Sequence, residues 1–267
     1  MIRKGPWVRI PPPPPVRTVF ASAGVGHVPS HPGPNPHSAR DGTGMTIEKV
    51  LLTWSGGKDS AMALHELQSS GAYRVLALLT TVTEQYDRVS MHGVRTDLLE
   101  RQVESLGLPL ERIYIGKDAS NDEYEAAMRN KLAYYQARGA SSVAFGDLYL
   151  EDVRQYREGN LSRVGMKGLF PLWGRDTSEL AHSFIDLGFK AVITCVDTNA
   201  LDRAFAGRNF DEQFLSELPP AVDPCGENGE FHSFVYDGPL FRSEIRYKRG
   251  EIVLRDSRFC YCDLIPI

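Results

Sequence analysis

The chain has 267 residues, 42% of them hydrophobic and 24% charged, with a formal net charge of −4. That is long enough to bury a sizeable core as one large or two small domains, and the composition is ordinary for a globular protein. The mildly acidic balance gives no bulk attraction to nucleic acid or to an anionic membrane, and no apolar run approaches the roughly 18–20 residues of a membrane span. Cys195, Cys225, Cys260 and Cys262 are too few for a disulfide scaffold and fit a reducing cytosol. Composition leaves the oligomeric state open, a homo-oligomer included.

Residues 1–44 are rich in Pro, Gly, Ser and His, and Pro11 to Pro15 favour polyproline II over helix or central strand. The segment reads as disordered, with Met45 the preferred true start. From there apolar runs alternate with helical periods. Lys49–Thr53 reads as a strand and Ser60–Gln68 as a helix with Ala61, Leu64 and Leu67 inward. Arg74–Thr80 is a second strand, and Thr96–Leu106 is a helix stopped by Gly107 and Pro109. Arg112–Ile115 is a strand, Asn121–Ala137 a helix and Ser142–Phe145 a strand ending in Gly146-Asp147. Leu150–Val164 is helical, Gly168–Leu172 a short strand, Thr177–Leu187 a helix capped by Asp176 or Thr177, and Lys190–Val196 a further strand. The alternation predicts a doubly wound, mostly parallel α/β sheet over 46–197, with ligands at the carboxyl ends of its strands. Beyond it, Phe210–Leu218 reads as a short helix. Ser233–Tyr236, Ser243–Lys248 and Ile252–Leu254 read as strands, with Arg249-Gly250 in a hairpin turn. Residues 198–267 are thus expected to form a smaller α+β part.

The segment Ser55-Gly56-Gly57-Lys58-Asp59-Ser60 stands between the first strand and the first helix. Two glycines let the backbone turn sharply and approach an anion. The helix start supplies N–H groups and a positive dipole end, the serines add hydroxyl donors, and Lys58 adds charge. Together they make a pyrophosphate cradle. The spacing is not that of the ordinary P-loop, GxxxxGK[ST]. An incidental glycine-rich turn is the bland alternative. The compact string SGGKDS resembles the signature of the PP-loop ATP pyrophosphatases, which cleave ATP between its α and β phosphates.

"RVSMHGV" (88–94), "PLWGRDTSEL" (171–180), "LGFKAVITCVD" (187–197), "LDRAFAGRNFD" (201–211) and "CGENGEFHSFVYDGPLF" (225–241) follow in order. With SGGKDS they resemble the diphthine–ammonia ligase family, also called the diphthamide synthase ATP-binding domain, over nearly all of residues 46–241. The resemblance implies adenylation of a carboxylate by ATP, capture by ammonia, and release of AMP and pyrophosphate. In the family the acceptor is diphthine, a modified histidine on translation elongation factor two. The resemblance further implies that Ser55, Gly56, Gly57, Lys58, Asp59 and Ser60 bind the ATP phosphates, and that Gly226, Glu227, Gly229 and Glu230 face its reactive end. The chain departs from the family at "GDLYLEDVRQYR", where a Gly-Ala…Tyr-Gln-Arg pattern is usual. It departs again at Glu230-Phe231-His232-Ser233, where Glu-Tyr-Glu-Thr or Glu-Phe-Glu-Thr is usual. These changes mark a divergent branch and leave the acceptor open. A nucleotide α-hydrolase and a nucleotide sensor without turnover are the alternative functions.

Further candidates come with bland alternatives. Asp147, after Gly146 at a strand end, suits Mg²⁺, adenine or ribose, or else caps the next helix. Glu227 and Glu230, with Asp59, are the expected Mg²⁺ ligands, since that ion keeps waters and takes one or two carboxylates. Solvated loop charge is the alternative. His232 has the pKa range of a general base toward an incoming amine, although a lone His beside a strand is more often structural. Met91 and His92 follow the second strand, where adenine-binding loops lie. Arg154 and Arg175 suit phosphate or carboxylate, or else pair with Asp152 and Asp176. Cys260 and Cys262, two apart on a strand, read as core or edge thiols and not as half of a metal site.

Overall fold

The computed structural model describes residues 47–83, 88–89, 93–115 and 121–267. Strands β1 (Glu48–Thr53) and β2 (Tyr73–Thr83) pair in parallel, and the two-residue β3 (Arg88–Val89) returns antiparallel against the end of β2. Strands β4 (Leu110–Ile115), β5 (Ser142–Ala144) and β6 (Lys167–Leu169) complete a parallel sheet in the order β4-β2-β1-β5-β6. The chain runs outward from β1 to one side, then crosses back and runs outward to the other. The strand order therefore reverses between β1 and β5, and the crevice at their carboxyl ends is where such sheets bind ligands.

The strands are buried on both faces, so their apolar runs are continuous. Val50, Leu52 and Leu78 pack toward helices α1 (Lys58–Ser69) and α2 (Thr96–Leu106), meeting Ala61, Leu64, Leu98 and Leu99. Leu51, Ala77, Leu79 and Val143 point the other way, onto Leu132 and Tyr135 of α3 (Asn121–Gln136) and Leu161 of α4 (Glu151–Ser162). The doubly wound α/β expectation is met.

The second sheet differs from expectation in two places. After α5 (Thr177–Asp186), the strand β7 (Lys190–Asp197) does not join the parallel sheet. It pairs antiparallel with β8 (Phe231–Asp237) on one side and β10 (Phe259–Pro266) on the other, and β9 (Tyr247–Arg255) closes the order β8-β7-β10-β9. The change of sheet falls at β7, before residue 198. Every β7 residue after Lys190 is buried, and an apolar run buried on both faces carries no signal of strand direction. The second difference is the hairpin. Arg249-Gly250 lies inside β9, beside a register shift between Cys262 and Leu264, and only Tyr247 and Lys248 of the expected Ser243–Lys248 strand are extended. The reversal occurs instead at Asp256 and Ser257, both left-handed with φ of 50° and 52°. Glycine inside a strand marks an irregularity as readily as a turn. The helix expected at Phe210–Leu218 is shorter, α6 (Glu212–Ser216).

One apolar cluster runs from α1 and α2 into the second sheet. Its centre is a set of phenylalanines in edge and tilted contact, Phe184, Phe210, Phe214 and Phe231, with ring centroids 5.2–6.2 Å apart. This continuous core fixes the second sheet against the amino end of α1. Cys260 and Cys262 lie buried on β10, which selects the core over the edge reading of these thiols.

Candidate active site

The phosphate-loop segment sits at the β1/β5 switch. Gly56 has φ +79°, which turns the chain from β1 into α1. Gly57 is the N-cap residue and has no side chain to cap with, so the helix start is served from elsewhere. Ser60 Oγ donates to the Gly57 carbonyl at 2.8 Å and lies 3.3 Å from Ser55 Oγ, and the Gly57 amide donates to Ser55 Oγ at 3.3 Å. The Lys58 amide donates to Ser233 Oγ at 3.2 Å, so β8 of the second sheet supplies the cap. The Val235 amide donates to the Gly56 carbonyl at 2.9 Å. The two sheets are stitched together at the loop.

Lys58 is buried, 3% exposed. Its ammonium donates to Asp59 Oδ1 at 2.6 Å and lies 5.7 Å from the Phe231 ring centroid. Burial alone would lower its pKa; the Asp59 carboxylate, with Cys225 and Glu227 adding to it, holds it above the ordinary lysine range. Burial pushes the Asp59 carboxyl up, against the pull of Lys58.

The opposite wall is the loop from Asp223 to Glu230. Glu227 Oε1 accepts the Leu148 amide at 2.8 Å, tying this loop to the carboxyl end of β5. Burial, then the nearby Asp59 carboxylate, push the Glu227 carboxyl up to about 8. Asp223 accepts the amides of Cys225 (2.8 Å) and Glu227 (3.2 Å) and so shapes the loop. Cys225 Sγ donates to the Thr177 carbonyl at 3.2 Å, and burial raises its thiol to about 12, out of nucleophile range. Glu230 is 6% exposed, and its Oε1 accepts from the Asp223 amide (3.2 Å) and Asn228 Nδ2 (3.0 Å). Its hydrogen bonds lie within the loop, whereas Glu227 feels the Asp59 charge. Among the described residues no group of three or more His, Cys, Asp or Glu is placed to hold a metal.

Several expected site residues are placed differently. Asp147 does not cap α4, whose N-cap is Leu150 without a side-chain bond. It pairs with Arg157 at 2.6 Å, and that guanidinium lies over the Phe145 ring. Arg175 pairs with Glu66 at 2.6 Å, about 12 Å along α1 from Lys58 at 1.5 Å per residue. Arg154 pairs with Glu158 at 2.9 Å and covers Trp173. His232 alternates with Phe231 and Ser233 along β8. Those two face the phosphate loop, which puts His232 on the opposite face. Asp176, not Thr177, caps α5. Met91 and His92 lie outside the described residues. Gly146 lies against the start of α1, where an added Cβ would stand 2.9 Å from the Asp59 carbonyl oxygen.

Gln102 is the residue the sequence reading missed. It is fully buried, accepts from Trp54 Nε1 at 3.1 Å, and donates to the carbonyls of Gly56 (3.0 Å) and Val235. The available signal was a polar residue in the inward stripe Leu98, Leu99, Gln102, Val103 of α2.

Family models match both halves of the chain: the diphthamide synthase N-terminal domain over residues 48–168 and the diphthamide synthase C-terminal domain over residues 176–264. The chain belongs to the diphthamide synthase family. The first of these stretches carries the phosphate loop and the parallel sheet, and the second carries β7, β8 and the Glu227 loop. Similar proteins include the diphthine–ammonia ligase of Schizosaccharomyces pombe, 29% identical over 236 residues, covering 80% of this chain and 38% of that one. Those of Danio rerio and Homo sapiens are 27% and 26% identical, covering 78% of this chain and 90% and 86% of theirs. This chain thus spans well under half of its fission-yeast relative and most of the vertebrate ones.

Proposed function

We propose that the chain is an ATP-dependent carbon–nitrogen ligase of the diphthine–ammonia ligase type. The observation that carries this reading is the buried Lys58–Asp59 pair at the β1/β5 switch, faced by Glu227, in a chain matching both diphthamide synthase domains. A carboxylate oxygen of the acceptor attacks the α phosphorus of ATP, and pyrophosphate leaves with the bonding electrons. Ammonia then attacks the acyl carbon, AMP departs, and the nitrogen loses a proton to give the amide. Lys58 exchanges Asp59 for the leaving pyrophosphate, and the loop amides and the hydroxyls of Ser55 and Ser60 hold the same oxygens. Diphthine is the first acceptor to test, since the relatives named above act on it, and the carrying protein is a translation factor. The reading places the enzyme in the cytoplasm. Among the described residues no helix is long and apolar enough to cross a membrane.

Mg²⁺ fits the donor set. The Asp59 carboxylate raises the pKa of Glu227, a repulsion that a divalent cation would relieve, and two carboxylates suffice for an ion that keeps waters and phosphate oxygens. When bound, the ion neutralises polyphosphate charge. Glu230 serves as a positioning residue that shapes the loop and is dropped from the ligand set, and His232, Asp147 and Arg175 are not given chemical roles.

The test is pyrophosphate release and nucleotide chromatography with Mg²⁺-ATP, ammonia and a diphthine-bearing protein. The expected products are AMP, pyrophosphate and a carboxamide seen by mass spectrometry. ADP as the stoichiometric product overturns the mechanism. Pyrophosphate from ATP alone makes the protein a hydrolase, and no turnover with any acceptor makes it a sensor.

A further inference from the structure

The antiparallel sheet ends in β9, whose outer edge pairs with no other strand among the described residues. On that edge Ile252, Val253 and Leu254 are 54%, 37% and 56% exposed, and Glu251 and Arg255 flank them. Soluble proteins blunt such edges with bulges, prolines or charges inside the strand, because an open apolar edge recruits another strand. Here the three central residues carry no such guard.

We propose that the β9 edge is a docking surface for a second copy of this chain, joined antiparallel about a two-fold axis through Val253. The register follows from the sequence of the strand. In an isologous antiparallel pair, opposite residues lie on one face, so the axis must pass through a residue. Centred on Ile252, Arg249 opposes Arg255 of the other copy, a like-charge pair. Centred on Leu254, Ile252 opposes Asp256 and Val253 opposes Arg255. Centred on Val253, Ile252 opposes Leu254, Val253 opposes itself, and Glu251 opposes Arg255 on both sides of the axis. Only this last register sets apolar side chains on apolar ones and opposite charges on each other. Ile252 and Leu254 pair with Cys262 and Cys260 of β10, which are buried. Their face therefore continues the core face of the sheet, left uncovered at its rim. The dimer joins two four-stranded sheets into one of eight strands and leaves both phosphate loops untouched.

Sedimentation velocity of the full chain over a concentration series is the first measurement, and a dimer is expected. Ile252→Lys with Leu254→Lys should give a monomer that melts and turns over like wild type. Glu251→Arg should weaken the dimer, and Glu251→Arg with Arg255→Glu should restore it. Register is read by disulfide trapping, which the buried native cysteines do not confuse. Val253→Cys should cross-link, since facing Cα atoms stand about 4.5–5.5 Å apart. Glu251→Cys should not, because in this register the two copies of residue 251 are about 14 Å apart. A chain that stays monomeric throughout overturns the proposal, including one in which residues 1–44 of the same chain take the edge. So does a dimer that survives the double Lys variant, or that cross-links at 251 and not at 253.

Discussion

Gln102 holds Gly56: its Nε2, on the second helix, donates to the Gly56 carbonyl of the phosphate loop at 3.0 Å, while its Oε1 accepts from Trp54 at 3.1 Å. One buried amide thus joins β1, the loop, α2 and β8. Gln102→Leu leaves the Trp54 N–H and the Val235 carbonyl without this partner, at a cost of about 2–4 kcal/mol. The expected drop in Tm is on the order of 5–15 °C. ATP affinity should fall with it as the loop loses its anchor. A variant with wild-type Tm and affinity would show that the loop holds itself.

Lys58 and Asp59 are buried as a pair, so removing one strands the other. Lys58→Ala should abolish turnover and also cost about 1–3 kcal/mol. Adding Asp59→Asn should recover much of the stability and none of the activity. Denaturant melts beside pyrophosphate release separate the two effects. Turnover surviving in Lys58→Ala would remove the lysine from the mechanism.

Gly146 is where the chain leaving β5 passes the start of α1. Gly146→Ala puts a Cβ 2.9 Å from the Asp59 backbone, which neither side can yield without moving the helix. A cost of about 1–3 kcal/mol is expected. Nucleotide affinity should fall more than acceptor affinity, as calorimetry with each ligand would read. Equal losses would place Gly146 outside the nucleotide side.

Glu227 titrates at about 8, well above its unfolded value near 4.5. Between those values the folded chain holds a proton that the unfolded chain has lost. Stability from this group is therefore full below about pH 4.5 and declines as pH rises through 8, with a slope of up to about 1.4 kcal/mol per pH unit. Urea melts of the cation-free protein from pH 5 to 9 should show the decline, and Glu227→Gln should flatten it. A wild-type profile that matches the Gln variant would mean that Glu227 is ionised throughout.

Much of the architecture follows from local chemistry. Alternating periods of two kinds set the strand and helix order from Glu48 to Asp186, because each element buries its own stripe. The expectation of an anion cradle at SGGKDS rests on residue types alone: two glycines, a helix start and a lysine. Tertiary structure decided what no local pattern encodes. Strand direction at β7 depends on which strands flank it, and an apolar run pairs either way. The burial of Lys58 depends on the second sheet, through Phe231 and Ser233. The roles of Asp147, Arg175 and Glu227 turn on Arg157, Glu66 and Asp59, partners 10, 109 and 168 positions away. A charged side chain takes its function from the charge that folding sets beside it, and that neighbour is chosen by packing across the whole chain.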